Sequence, residues 1–504
     1  MSARSARPRA SVAAGHAATA GAAQQILLDG GSAADAAIAA LWMACVCEPV
    51  LASPGGGGFA TVMGRGRAEI LDFFVDAPGR KQPEGSIEFS EVLADFGTTT
   101  QAFHVGAGAS AVPGFVPGLF ALHERYGRTP MRVLAEPAII AAREGVKVSA
   151  FQAKLFAVVS PILTFTPQAA ALFGADDGKT FAAGETMANP QLADTLDALS
   201  REGSRLATHG EIAALMAEQS EAFNGHLRRA DLESFKPCWR APVELRLGPL
   251  KVWTNPPPAL GGALIAAMAR VLSRESGGSF AMAVARAIDE VDRFWRQAPQ
   301  DAGRLLGMAS SRGHVTQRGT THVSVADDRG EAVAVTVSNG EGNGRIVPGC
   351  GFMINNMLGE EDVNPRGFHA WEPGERLSSM MAPSVGTWRT GGTLAVGSGG
   401  SNRIRTAILQ VLANIGLREL PLGDAVAAPR MHIERGFLDF EDILIEQLFE
   451  EEERDELVRA FEEHRAWAEP SLYFGGVHAA ACLPSGQIDA AGDARREGAG
   501  LTVG

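Results

Sequence analysis

The feature that most constrains this chain lies about two thirds of the way along it, where a polar stretch gives way abruptly to β-structure. Residues 297–319 (QAPQDAGRLLGMASSRGHVTQRG) are poorly periodic and rich in Gly, Ser and Arg, and they read as an exposed linker. Directly after them come Thr320-Thr-His-Val-Ser-Val, the polar turn Ala326-Asp-Asp-Arg-Gly330, and Glu331-Ala-Val-Ala-Val-Thr-Val-Ser338. Two β-patterned runs around a polar turn predict a hairpin. If Asp327 and Gly330 flank the turn, Thr320 falls opposite Val337 and beside Ser338. A Thr at the head of one strand then meets a Ser at the end of its neighbour.

The chain has 504 residues, enough for about three domains or one large α/β unit. Its 46% hydrophobic and 20% charged content excludes a disordered protein. The 59 glycines have no three-residue period, so they announce tight turns and close backbone approaches rather than collagen. Charge is balanced up to Gly319, and the net −13 comes from the remainder, mostly residues 434–463. Within it, residues 450–463 predict a solvated acidic helix with Leu457, Val458 and Phe461 as its apolar stripe. No basic patch exists to meet a phosphate backbone, which argues against a nucleic-acid partner.

Five scattered cysteines, Cys45, Cys47, Cys238, Cys350 and Cys482, make neither a disulfide framework nor a CxxC pair. Cys45 and Cys47 sit in an apolar run and read as core. The N-terminal arginines are not followed by an apolar segment of signal-peptide type. No run of 18 apolar residues offers a membrane span. Together these features lead us to expect a cytoplasmic protein with no membrane partner.

Coarse periodicity predicts two helices within residues 16–48, separated by Gly30-Gly31 and restarted by the capping box Ser32-Ala-Ala-Asp35. A glycine loop at 53–59 follows, with short strands around 59–63 and 69–74. Residues 111–230 are mainly helical, at 116–126, 131–144, 189–202 and 211–220. The proline-rich stretch 254–262 precedes another helix at 263–273.

Locally, each motif has an ordinary reading. Thr320 is a β-branched residue in a strand. The glycine loop lacks the Lys-Ser/Thr of a P-loop and the spacing of a dinucleotide fingerprint, so a tight turn is the default. His322 shares a strand face with Thr320 and reads as a structural histidine before it reads as a base. There is no Gly-x-Ser-x-Gly elbow and no HExxH, and the sequence indicates no metal and no cofactor.

It is the order of the pieces that carries more. His16 and its helix, EPVLASPGGGGF (48–59), LDF..DAP (71–78), AVPGFVPGL (111–119), EPAIIAAREGVKVS (136–149), NPQLADTL (189–196), NPPPALGG (255–262), GTTHVSV (319–325), VPGCGFMINN (347–356), RLSSMMAP (376–383), VGSGGSNRI (396–404), AAPRMH (427–432) and YFGGVHA (473–479) run from about residue 11 to 499. In that order they closely resemble the γ-glutamyltranspeptidase family of N-terminal nucleophile hydrolases.

The resemblance implies an α+β fold, the four-layer αββα sandwich. It implies one precursor that cuts itself at Gly319-Thr320 into subunits 1–319 and 320–504, which stay together as a heterodimer. Thr320 Oγ attacks the Gly319 carbonyl, and water then releases the large subunit. The new α-amine of Thr320, with an unperturbed pKa of ~7.7–8, is a suitable general base, so one residue is nucleophile and base. By the same resemblance Ser338 supports Thr320 as the family's Thr does, Ser378 and Ser379 bind substrate, and Gly399 and Gly400 form the oxyanion hole. Asn339 matches an Asn that binds the substrate's α-carboxyl end. The implied substrate is glutathione or another γ-glutamyl compound, with water, an amine or a peptide as acceptor.

Two departures point to an altered acyl pocket. Family members carry an Arg after the Asp-Phe of LDF, clamping the glutamyl carboxylate; here the position is Phe74. The family's Asp that holds the α-amine is replaced by Glu360. Arg345, Arg376 and Arg403 are candidate replacement cations. A glutaryl or cephalosporin-type acylase is therefore one alternative, and an uncleaved, non-catalytic binding protein on the same fold is another.

Overall fold

A computed structural model describes residues 9–64, 66–95, 100–174, 179–275, 277–297, 319–364 and 366–504. The linker expected at 297–319 thus lies outside the described residues except at its two ends.

The strand Thr320–Asp327 lies in the interior of a seven-stranded antiparallel sheet. From edge to edge the order is Ala499–Val503, Ala10–Ala14, Thr320–Asp327, Ala332–Ser338, Gly57–Gly64, Arg67–Phe73 and Cys238–Arg240. Six more strands form a second antiparallel sheet: Ile488–Ala491, Gly476–Cys482, Gly391–Gly399, Ser384–Trp388, Leu250–Thr254 and Val243–Leu247. The sheets stack face to face. Helices Ala17–Leu28 and Ala33–Cys47 pack on the first sheet, with Met131–Glu144 against Ala33–Cys47 and Pro190–Glu202 against Met131–Glu144; Leu260–Leu272 and Arg403–Gly416 pack on the second, with Phe280–Gln297 against Leu260–Leu272. This is the αββα sandwich that the resemblance implies.

The layers differ chemically. Aliphatic and aromatic side chains fill the two helix–sheet cores. Between the sheets the fill is mostly small: Ala326, Ala332, Ala334, Ala395 and Ala480, with Val385 and Met63. Hydroxyls cross it, Ser11 Oγ donating to Ala481 O at 3.1 Å and Ser324 Oγ to His478 O at 3.0 Å. Small residues let the sheets approach, and the hydroxyls satisfy carbonyls that would otherwise be buried unpaired.

Local signals place the elements. Ser32 and Asp35 form the expected capping box, and the helix Ala33–Cys47 that it starts is buried along its whole length, Cys45 and Cys47 included. The helix predicted at 263–273 begins earlier, at Leu260. The acidic helix runs Glu451–Ala460 with Leu457 buried.

The hairpin differs from expectation by one residue. Thr320 pairs with Ser338 itself, and Thr321 with Val337. The turn is wider than assumed: Ala326 pairs with Ala332, and Asp327 N–H donates to Glu331 O at 3.0 Å. The extra residue in the loop shifts every pair beyond it.

Candidate active site

Thr320 and Ser338 face each other at the open end of the central hairpin, both nearly buried. Ser338 Oγ donates to the carbonyl oxygen of Gly319 at 2.5 Å. Ser338 Oγ in turn accepts from Gly340 N–H at 3.0 Å. The hydroxyl is therefore fixed with its proton on the carbonyl that Thr320 would attack, where negative charge would develop. The amide of Gly319 donates to Glu341 Oε1 at 2.9 Å.

The glycine loop serves this geometry by close approach. Gly57 pairs with Ser338, and a Cβ on Gly56 would stand 2.5 Å from Ser338 O. That is backbone packing, not a phosphate cradle. From the second sheet, Gly399 lies against Thr320: a Cβ there would be 2.2 Å from Thr320 O. Gly400 has φ +128°, and a Cβ on it would come within 2.8 Å of Gly475 Cα, so this turn admits only glycine.

His322 follows its ordinary reading. It is fully buried, with Nδ1 2.8 Å from Thr336 Oγ1 and Nε2 2.8 Å from Ser324 Oγ. Burial, with His478 nearby, pushes its pKa well down, so it is neutral and fully bonded. On the neighbouring side chain, Thr321 Oγ1 donates to Glu48 Oε2 at 2.6 Å, and Thr19 Oγ1 to Glu48 Oε1 at 2.7 Å. Burial raises the Glu48 pKa. This carboxyl ties the strand next to Thr320 to the helix behind it.

A cavity of about 40 Å³ opens at Thr320. Phe74, Met357, Val363, Met380, Met381 and Ile404 make its apolar wall, and Ser338, Glu360, Asp362, Ser379 and Ser401 its polar side. A larger cavity of about 730 Å³ lies near Gln219, Phe223 and Arg345, but Thr320 does not line it. The smaller cavity is the candidate site, because Thr320 and Ser338 line it.

Phe74, Ser338, Glu360 and Ser379 thus meet at Thr320. Ser379 Oγ also accepts from Met381 N–H at 3.1 Å. Ser378 is buried beside it but does not line the cavity, and Asn339 lies with its Nδ2 toward Gly342, away from the lining. Phe74 is buried and stacks on Phe59, ring centroids 5.5 Å apart.

None of the three candidate arginines replaces the missing clamp. Arg345 Nε donates to Glu88 Oε2 at 2.6 Å. Arg376 binds Asp72 Oδ1 at 2.7 Å and grips Asp76 with Nε and Nη2. Arg403 is buried with its guanidinium 4.3 Å from the Tyr473 ring. Among the described residues lining the cavity there is no Lys or Arg.

Sequence reasoning passed over Glu341 and Asp362. Asp362 accepts from Ser401 Oγ at 2.5 Å, linking the Glu360 loop to the glycine turn. The alternating glycines of Asn339-Gly-Glu-Gly-Asn-Gly344 were the available signal for Glu341, since they mark a tightly folded loop at the end of the Ser338 strand. No group of His, Cys, Asp and Glu among the described residues is arranged to hold a metal ion.

The family profile described as Gamma-glutamyltranspeptidase matches residues 19–293 and 278–503. The glutathione hydrolase proenzyme of Pseudomonas aeruginosa is 30% identical over 465 residues, covering 81% of this chain and 80% of the relative. The acylase ACY 1 proenzyme of Pseudomonas sp. (strain SE83) is 26% identical over 535 residues, covering 98% and 94%. Among solved structures, the cephalosporin acylase from Bacillus halodurans superimposes with a TM-score of 0.82 at 22% identity, covering 98% of this chain and 96% of that one, a likeness of fold. On the profile match and the 30% identity across most of its length, the chain belongs to the γ-glutamyltranspeptidase family.

Proposed function

We propose that this protein is a self-cleaving amidohydrolase and acyltransferase that works through acyl-Thr320. The observation that carries the reading is the Ser338 hydroxyl on the Gly319 carbonyl at 2.5 Å, with Thr320 at the head of the facing strand. Thr320 Oγ attacks Gly319 C, Ser338 and the strand end steady the oxyanion, and the C–N bond breaks as Thr320 N takes the proton. Water hydrolyses the resulting ester. The precursor becomes subunits 1–319 and 320–504, held together by the sheet that both supply. In turnover the free α-amine takes the Oγ proton, Gly399 and Gly400 receive the acyl oxyanion, and water or an amine accepts the acyl group.

The acyl donor is an amide of the γ-glutamyl class. Glu360 faces the substrate amine, and the carboxylate, lacking a guanidinium, is left to the Ser379 hydroxyl. The relatives named glutathione hydrolase support the class. The relatives named acylase support the acylase alternative instead, but Glu360 and Asp362 on a wall without a cation disfavour the terminal carboxylate of a glutaryl donor. We further propose a cytoplasmic location, supported by the five free cysteines; cell fractionation tests it.

Mass spectrometry of purified protein checks maturation: the expected fragment begins at Thr320, and Thr320→Ala stays one inactive chain. Intact wild-type protein that turns over substrate overturns the mechanism. The donor is read from kcat/KM on γ-glutamyl, 4-aminobutyryl and glutaryl anilides. We expect the two amine-bearing donors to lie within about tenfold of each other, because the carboxylate meets no ion pair here, and glutaryl to be the slowest. A glutaryl preference establishes the acylase reading instead.

A further inference from the structure

We propose that Glu341 is a positioning residue with two successive partners: the Gly319 amide in the precursor, and the α-ammonium of Thr320 once the chain is cut. The inference rests on the self-cleavage reading above and adds a residue to it.

Glu341 is nearly buried and held through both its side chain and its backbone. Its Oε1 accepts from Gly319 N–H at 2.9 Å, and its own backbone N–H donates to Asn356 Oδ1 at 3.0 Å. The preceding Gly340 has φ +62°, and a Cβ there would stand 2.0 Å from Asn356 Oδ1 and 2.2 Å from Glu360 Oε1. Only glycine lets the chain turn that tightly between the two, and that turn brings the next residue beneath the scissile peptide. Gly340 also gives its N–H to Ser338 Oγ. One loop therefore holds Gly319 twice: Ser338 on the carbonyl of the peptide to be cut, Glu341 on the amide of the peptide before it.

Cleavage changes what Glu341 faces. The bond between Gly319 C and Thr320 N breaks, Gly319 leaves with a carboxylate, and Thr320 N becomes an amine one residue from the amide that Glu341 had held. A carboxylate at that spot stabilises the ammonium form. The amine must be unprotonated to take the Oγ proton, so Glu341 moves the working range of the enzyme to higher pH. Glu360 and Asp362 reach the same pocket from the loop after Asn356. Arg496 lies beside Gly399, and Arg403 begins the helix behind Ser401. Glu48 is bound to Thr321. These groups are common to wild type and variant, so a difference between the two reads Glu341.

Two variants test the proposal. Glu341→Ala removes the acceptor and is expected to slow the appearance of the Thr320 fragment by roughly tenfold or more, the effect of losing one charge-assisted hydrogen bond. Glu341→Gln keeps an acceptor and loses the charge. It is expected to mature within about threefold of wild type, and its acid limb of kcat/KM on γ-glutamyl anilide should move down by about half a pH unit or more. If Glu341→Ala matures as fast as wild type, the first role is wrong; if the Glu341→Gln limb stays in place, the second is. Should Glu341→Ala not fold, the Gln variant still decides, because a structural role alone does not move a pH limb. Wild type that never cleaves overturns the self-cleavage reading instead, whatever either variant does.

Discussion

At Ser338 a single hydroxyl carries much of the proposed maturation chemistry, because it donates at 2.5 Å to the oxygen that becomes the oxyanion. Removing one donor of that kind costs about 2.7–4 kcal/mol, or roughly 100–1000-fold in rate. Ser338→Ala is therefore expected to accumulate uncleaved chain on that scale, and Ser338→Thr to restore cleavage; time-resolved denaturing gels check both. Equal cleavage in Ser338→Ala would remove the hydroxyl from the mechanism. Phe74 shows what a sequence conveys about a site. The absent Arg is visible in LDFFVDAP, but its consequence depends on Arg376, which the fold spends on Asp72 and Asp76. Whether a second arginine is free is a property of packing, and no motif records it. For the same reason an Arg at position 74 would enter a stack with Phe59, with two carboxylates already committed nearby.

At the scale of elements, the hairpin was legible and its register was not. Alternation and the Asp-Asp-Arg-Gly turn locate both strands, whereas the Asp327–Glu331 closure that sets the pairing depends on one additional loop residue. The correction strengthens the site, since it puts Ser338 directly across from Thr320. The strand Gly391–Gly399 shows the converse. Its glycines look like turn residues in sequence, yet Gly397 and Gly399 lie in the strand where the sheets touch: a Cβ on Gly397 would meet the His322 ring at 2.3 Å, and one on Gly399 would meet Thr320 O at 2.2 Å. Gly399→Ala should push the nucleophile strand out of line. We expect turnover to fall by at least ~100-fold, while Tm falls by only about 1–3 °C, the overpacking cost spread over a chain of this size. A parallel collapse of Tm would mean that the glycine is needed for folding rather than for alignment.

Across the whole molecule, the four-layer order could be recognised only through the family resemblance. The central strands are buried on both faces and lose the period-two pattern, so their sequence does not say which face meets helices and which meets the second sheet. That burial has a consequence for acid stability. His478 stands on an inter-sheet strand, accepts from Asp493 N–H at 3.3 Å, and has its pKa pushed down to about 4 by burial. In the unfolded chain it titrates near 6.5. Between these values the unfolded state binds the extra proton, so the contribution is complete above pH 6.5 and is lost as pH falls toward 4. At pH 5 the loss is about 2 kcal/mol, or roughly 2 °C in Tm for a chain of this length. His322, also pushed down by burial, acts in the same direction, while Asp327, raised to about 6 by burial, opposes both. The total curve therefore mixes signs, and a difference between variants isolates one group. In the uncleaved Thr320→Ala background, His478→Gln should lower Tm at pH 7.5 through lost packing but narrow the drop from pH 7.5 to pH 5 by about 2 °C. Calorimetry at the two pH values decides it: an unchanged drop would mean that His478 is not the neutral buried group that the inter-sheet layer requires.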